Sequence, residues 1–143
     1  MEERVLIADF NDRNVSEKYN LENIFSEVDK YINNSKYGNG GLVFLRTGKE
    51  EENLEDIIGT ITGIEIENNK VYAVISFIED SVAYKIIKPI IWNYGIDIVQ
   101  ATVKGYWEHN WSLYEPSVTL KGIQSMGLTI NKAYDSFVEM GKS

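Results

Sequence analysis

His109 is the only histidine of the chain, and Ser112 follows three residues later in the run WEHNWSLYE. Histidine takes up a proton near neutral pH, and a hydroxyl beside it can become a nucleophile. Glu108 or Glu115 could orient such a ring as the third member of a triad. On an extended or looped segment, however, a spacing of three does not make two side chains converge. A surface histidine in a loop is the plainer reading. One histidine also cannot supply the several protein ligands of a His-based zinc site. The chain has no cysteine, which removes disulfides, thiolate metal sites and a cysteine nucleophile together. Carboxylates could still hold Mg²⁺ or Ca²⁺, but no EF-hand spacing appears, so neither metal nor cofactor is expected. Gly38-Asn39-Gly40-Gly41 lacks the Lys-Ser/Thr of a phosphate-binding loop and opens no helix. It reads as a turn.

A second cluster is aromatic. Trp92, Tyr94, Tyr106, Trp107, Trp111 and Tyr114 fall close together in sequence. Such rings give large contact area at low entropy cost and dominate interface hot spots. They can also stack on a base or line a small-ligand cage. Core packing comes first among these readings, then a protein interface, then the cage.

The elements that must position these residues are legible in part. Val5 to Phe10 reads as a strand, and Asn11 to Asn14 as a polar break. Ser16 or Asn20 could cap a helix in which Leu21, Ile24, Phe25, Val28, Tyr31 and Ile32 recur at helical spacing. That helix ends in NNSKYGNGG, a dense turn signal. Leu42 to Leu45 is a short buried strand, and Thr47 to Asn53 a charged loop. Gly59 to Glu67 and Val71 to Ile78 form a hairpin turned by Asn68-Asn69, since Asn tolerates positive φ. Asp80 or Ser81 caps a helix carrying Val82, Ile86, Ile87, Ile90 and Ile91. Pro89 inside it must kink or split it, because proline has no N–H and crowds the preceding turn. Ile96 to Trp107 reads as a strand, and Glu108 to Glu115 as an aromatic connection. Pro116 to Gly122 and Ile123 to Ile130 read as two short extended segments. Asn131 could cap a final helix, Lys132 to Met140. The pattern implies an α+β fold: mainly an antiparallel sheet or small β-barrel with about three helices.

Composition narrows the function. The 143 residues are expected to form a single domain, 1–143, with a real core. The hydrophobic share of 43% and charged share of 25% are ordinary for a globular chain. The net charge of -8, with lysines and arginines scattered, disfavours direct binding to nucleic-acid backbones. Glu50-Glu51-Glu52 reads as a solvated turn. No apolar run approaches the ~20 residues that span a bilayer. MEERVLIADF has no basic region ahead of an apolar stretch, so no secretory signal is expected. The absence of cysteine fits a cytosolic protein.

The order from Ile58 to Thr102 (hairpin, helix, strand) resembles the prohead, or capsid maturation, proteases of tailed phages, which share a fold with herpesvirus assemblins. In that family a hairpin follows the catalytic histidine, and a helix then leads through a Gly-hydrophobic step into the strand bearing the catalytic serine. Here Ser81 to Tyr94 matches the helix, Gly95-Ile96 the step and Asp97 to Val103 the strand. NLEDIIGTI, Asn53 to Ile61, resembles the family's approach to the hairpin. Pro116 to Leu120 and Ile123 to Thr129 resemble its closing strand pair.

The resemblance places the histidine near Arg46 and Thr47, and the serine near Gln100, Ala101 and Thr102. Arginine stays protonated, so Arg46 cannot be a general base, and only Thr102 of the second group has a hydroxyl among the residues matching the serine. The resemblance therefore implies a phage head-assembly protein that keeps the protease scaffold and has lost proteolysis. It would act by binding protein, in capsid or scaffold, and could form a homo-oligomer. An alternative is a small acidic phage anti-defence or immunity protein that presents carboxylates to a nuclease. A third reading is an active serine-type prohead protease using His109 with Ser112 or Ser117.

Overall fold

The computed structural model describes residues 2–33, 41–46, 53–111 and 117–130. Outside them lie the expected turn at Gly38-Asn39-Gly40, the acidic run Glu50-Glu51-Glu52, Thr47, Ser112, Tyr114 and the expected helix Lys132 to Met140.

Six strands close into a barrel. They are β1 (Glu2–Asp9), β2 (Gly41–Leu45), β3 (Ile57–Glu67), β4 (Lys70–Phe77), β5 (Val99–Asn110) and β6 (Ser117–Ile130). Their order around the barrel is β1-β4-β3-β2-β6-β5, with β5 returning to β1. Four of the contacts between neighbours are antiparallel, but β1 pairs with β5 and β2 with β6 in parallel. The expected α+β class with a small barrel holds, and its antiparallel character is corrected to mixed. The reason is topological. Strands β1 and β2 lie far from β6 and β5 in sequence, and the crossovers bring them in running the same way.

Alternation fills the barrel. Val43 and Leu45 on β2, Val71, Ala73 and Ile75 on β4, and Met126 and Leu128 on β6 point inward and are buried. The hairpin β3–β4 turns on Asn68 and Asn69, at φ 52° and 62°, the left-handed pair that a two-residue hairpin turn demands.

Three α-helices are present among the described residues: α1 (Arg13–Ser16), α2 (Leu21–Asn33) and α3 (Val82–Tyr94). The expected polar break at Asn11–Asn14 is in part the start of α1, because the Asp12 side chain accepts from the Asn14 N–H. Asn20, not Ser16, caps α2: its Oδ1 accepts from the Asn23 N–H at 2.9 Å. Ile24 and Val28 of α2 are buried, and Tyr31 donates to the Leu42 carbonyl at 2.7 Å. Gly41 leaves room for the Tyr31 ring, which a methyl group there would overlap.

Ser81 caps α3, accepting from the Tyr84 N–H at 2.9 Å. The helix runs unsplit through Pro89, which sits on its exposed side, so the missing hydrogen bond faces solvent. The buried face carries Ala83, Tyr84 and Ile87, while Val82 and Ile86 are exposed. Tyr84 stacks on Phe77 at 4.9 Å, and that contact sets the rotation of the helix.

Two boundaries also shift. Ile96–Ile98 is a 3₁₀ turn, so β5 begins at Val99 and continues through Glu108, His109 and Asn110, where a connection was expected. The two segments expected between Pro116 and Ile130 are one strand, β6. Its bulges against Lys104–Gly105 and Tyr106–Trp107 change the phase of the alternation and make it look broken.

Candidate functional site

Arg46 follows the last residue of β2, with its N–H bonded to the Leu128 carbonyl at 2.9 Å. That bond continues the β2–β6 pairing by one residue and points the side chain to the outer surface of β6. The side chain crosses Gly127, where any Cβ would overlap Arg46 Cγ and Nε. It then reaches β5. Arg46 Nε donates to Thr102 Oγ1 at 2.8 Å, and Nη2 donates to Ser125 Oγ at 3.3 Å. Thr102 Oγ1 in turn donates to the Gly127 carbonyl at 3.4 Å.

The two segments assigned to the protease pair therefore meet, across one intervening strand. Thr102 faces Gly127, and Gln100 faces Thr129, whose hydroxyl donates to the Gln100 carbonyl at 3.5 Å. Gln100 and Ser125 are the buried polar side chains of this strand pair, and with Thr102 they make a polar layer on its outer face. Ala101, between them, points into the barrel and packs in the core. It takes no part in this layer. Sequence reasoning missed Ser125 and Gly127. The alternation Ser125, Gly127, Thr129 against Met126, Leu128, Ile130 was the signal, since it puts a bare backbone between two polar side chains.

The chemistry open to this arrangement is limited. A threonine hydroxyl becomes a nucleophile when a base takes its proton. Here it receives a hydrogen bond from a permanent cation and gives its own proton to a backbone carbonyl, which is no base. His109 lies seven residues along β5 from Thr102, about 23 Å at the usual rise per residue. It sits on the protruding end of the β5–β6 ribbon, stacked on Trp111 at 6.0 Å. Ser117 pairs opposite Asn110 and not opposite His109, so the Ser117 and His109 side chains leave the ribbon on opposite faces.

Comparison with protein-family models, with curated proteins and with solved structures found no match.

The aromatic run divides. Trp92 (83% exposed) and Tyr94 lie at the end of α3, near the barrel end where β5 starts. Tyr106 and Trp111 (87% exposed) lie on the distant ribbon. Of the five described residues of the run, Trp107 alone turns inward, edge-on to Tyr19 with ring centroids 5.5 Å apart. The five described residues thus form no single cage or core, and Trp92 and Tyr94 lie apart from Tyr106 and Trp111 as two separate exposed surfaces.

Charge is disposed unevenly. Arg4, on β1, pairs with Glu65 and Glu67 of β3 and lies over the Tyr72 ring at 4.1 Å. The Glu67 hydrogen bond raises the Arg4 pKa above its ordinary value. Burial pushes the Tyr84 phenol up, helped by Glu79 and Glu3. Among the described residues no group of three or more His, Cys, Asp or Glu could hold a metal ion, and no helix is long and apolar enough to cross a membrane.

Proposed function

We propose that the chain is a phage head-assembly protein on a prohead-protease-like scaffold, without proteolytic activity, and that it works by binding protein. The observation that carries the reading is the Arg46–Thr102 contact at 2.8 Å. The positions that resemble the catalytic pair are adjacent in space, and they are occupied by a cation and the hydroxyl bonded to it. The exposed rings at both ends of the barrel supply surface for partners. The acidic-inhibitor reading needs carboxylates gathered on one face. The described ones are spread over β1, α2, β3 and the approaches to α3, and Glu65 and Glu67 are engaged by Arg4. It carries less weight for that reason.

The deciding experiment incubates the purified protein alone, and with a co-expressed scaffold protein, and follows cleavage by mass spectrometry. Intact chains throughout are expected. Cleavage that disappears in Thr102→Ala or His109→Ala would refute the inactive reading.

A further inference from the structure

The outer side of α3 departs from the rest of the surface. The protein carries a net charge of -8, yet no carboxylate occurs between Ser81 and Gly95. Lys85 and Lys88 project from that side, and neither is ion-paired among the described residues. Beside them runs an apolar stripe. Val82 is 60% and Ile86 56% exposed, and Pro89 and Trp92 continue the line at helical spacing. Lys88, Pro89, Trp92 and Asn93 line a shallow hollow of about 250 Å³. Leu54, on the approach to β3, and Ile78, just after β4, are also exposed apolar residues.

An exposed apolar strip of this extent marks an interaction surface, and the only charges on the helix itself are positive, at Lys85 and Lys88, while Glu79 and Asp80 lie before its start. The sign selects the partner. We propose that this face of α3 docks an amphipathic helix whose apolar stripe is flanked by acidic residues. Val82, Ile86 and Pro89 would take the apolar stripe, Lys85 and Lys88 would meet the flanking carboxylates, and the hollow beside Trp92 would seat one large side chain. A second copy of the chain fits less well. Two α3 faces packed antiparallel bring four lysines together, and like charges at a contact oppose it. An anionic membrane would attract the lysines but repel the body of an acidic protein. The inference rests on the protein-binding reading above and gives it a surface and a partner chemistry.

The test uses two fluorescein-labelled helical peptides, each about 18 residues or five turns long. Both carry leucines at i, i+3, i+4 and i+7. One is flanked by glutamates and the other by lysines. Anisotropy against the full chain is expected to give about tenfold tighter binding for the acidic peptide. The pair Lys85→Glu and Lys88→Glu should reverse that preference, and Ile86→Asp, an exposed position, should abolish binding of both. Equal affinity for the two peptides, no saturable binding, or binding unmoved by Ile86→Asp overturns the proposal. So does a dimer in sedimentation that Ile86→Asp dissolves, or co-sedimentation with phosphatidylglycerol vesicles that Trp92→Ala abolishes. None of these readings depends on Thr102. Thr102-dependent cleavage would refute the inactive reading while leaving this surface standing, and loss of the charge preference would do the reverse.

Discussion

Asn23 on α2 grips Leu120 on β6 from both sides: its Nδ2 donates to the Leu120 carbonyl at 2.9 Å, and its Oδ1 accepts from the Leu120 N–H at 2.8 Å. One amide side chain thus acts as the next strand along the edge of β6. Just upstream, the Lys18 carbonyl accepts from the Val118 N–H at 2.9 Å and continues the same seam. The helix is fixed to the barrel by the Asn23 side-chain pairing as well as by Ile24 and Val28.

Asn23→Ala leaves both Leu120 backbone groups without that partner. We expect a loss of about 2 kcal/mol, in line with two part-buried hydrogen bonds given up at once. Urea titration followed by far-UV dichroism measures it. Asn23→Asp, which keeps the acceptor and loses the donor, should fall between.

Gly127→Ala places a methyl group where the Arg46 side chain lies. Overpacking of this kind costs about 2 kcal/mol. The Arg46 Nε–H resonance, held by Thr102, should lose protection from exchange. In an Arg46→Ala background the same glycine change should cost less than about 1 kcal/mol, because the colliding atoms are gone. A cost equal in both backgrounds would place the crowding elsewhere.

Trp107 and Trp111 provide a paired control on the ribbon. Trp107→Ala removes the edge-on contact with Tyr19 and should cost about 2 kcal/mol in thermal unfolding. Trp111→Ala, at a fully projecting ring, should stay within about 0.5 kcal/mol of the parent.

Tyr84 sets an alkaline limit. Its folded-state pKa lies above the ordinary 10.0, chiefly through burial. Below pH 10 the phenol is protonated in folded and unfolded chains alike, and its contribution is fully present. As pH rises from there the unfolded chain releases its proton first, so stability falls towards and through the folded pKa. Denaturant midpoints measured on either side of pH 10 should drop for the parent and drop less for Tyr84→Phe.

Legibility in the sequence followed the range of the interactions. The α2 stripe, the Asn68-Asn69 turn and the Ser81 cap are set by residues a few positions apart, and each was readable. The parallel contacts Leu6 with Gln100 and Val43 with Met126 join distant segments, and no local pattern encodes them. On α3, apolar residues occur on every side, so periodicity could not choose the buried face. The ring of Phe77, on another element, chose it. The meeting of Arg46 with Thr102 joins the end of β2 to β5 across β6, and no local pattern encodes it. The part played by Gly127 required knowing that β6 runs between them.

The two parallel seams have a consequence for the order in which the protein can be made. Strands β1 and β2 leave the ribosome before their final neighbours, Val99 onward and Met126 onward, are synthesised. At about 5–20 residues per second, the nascent chain spends seconds as an open trough with bare strand edges. During that interval it is a template for any extended segment nearby. A chaperone that shields such edges, or a partner already waiting to occupy one, would change the yield of this protein more than its final stability.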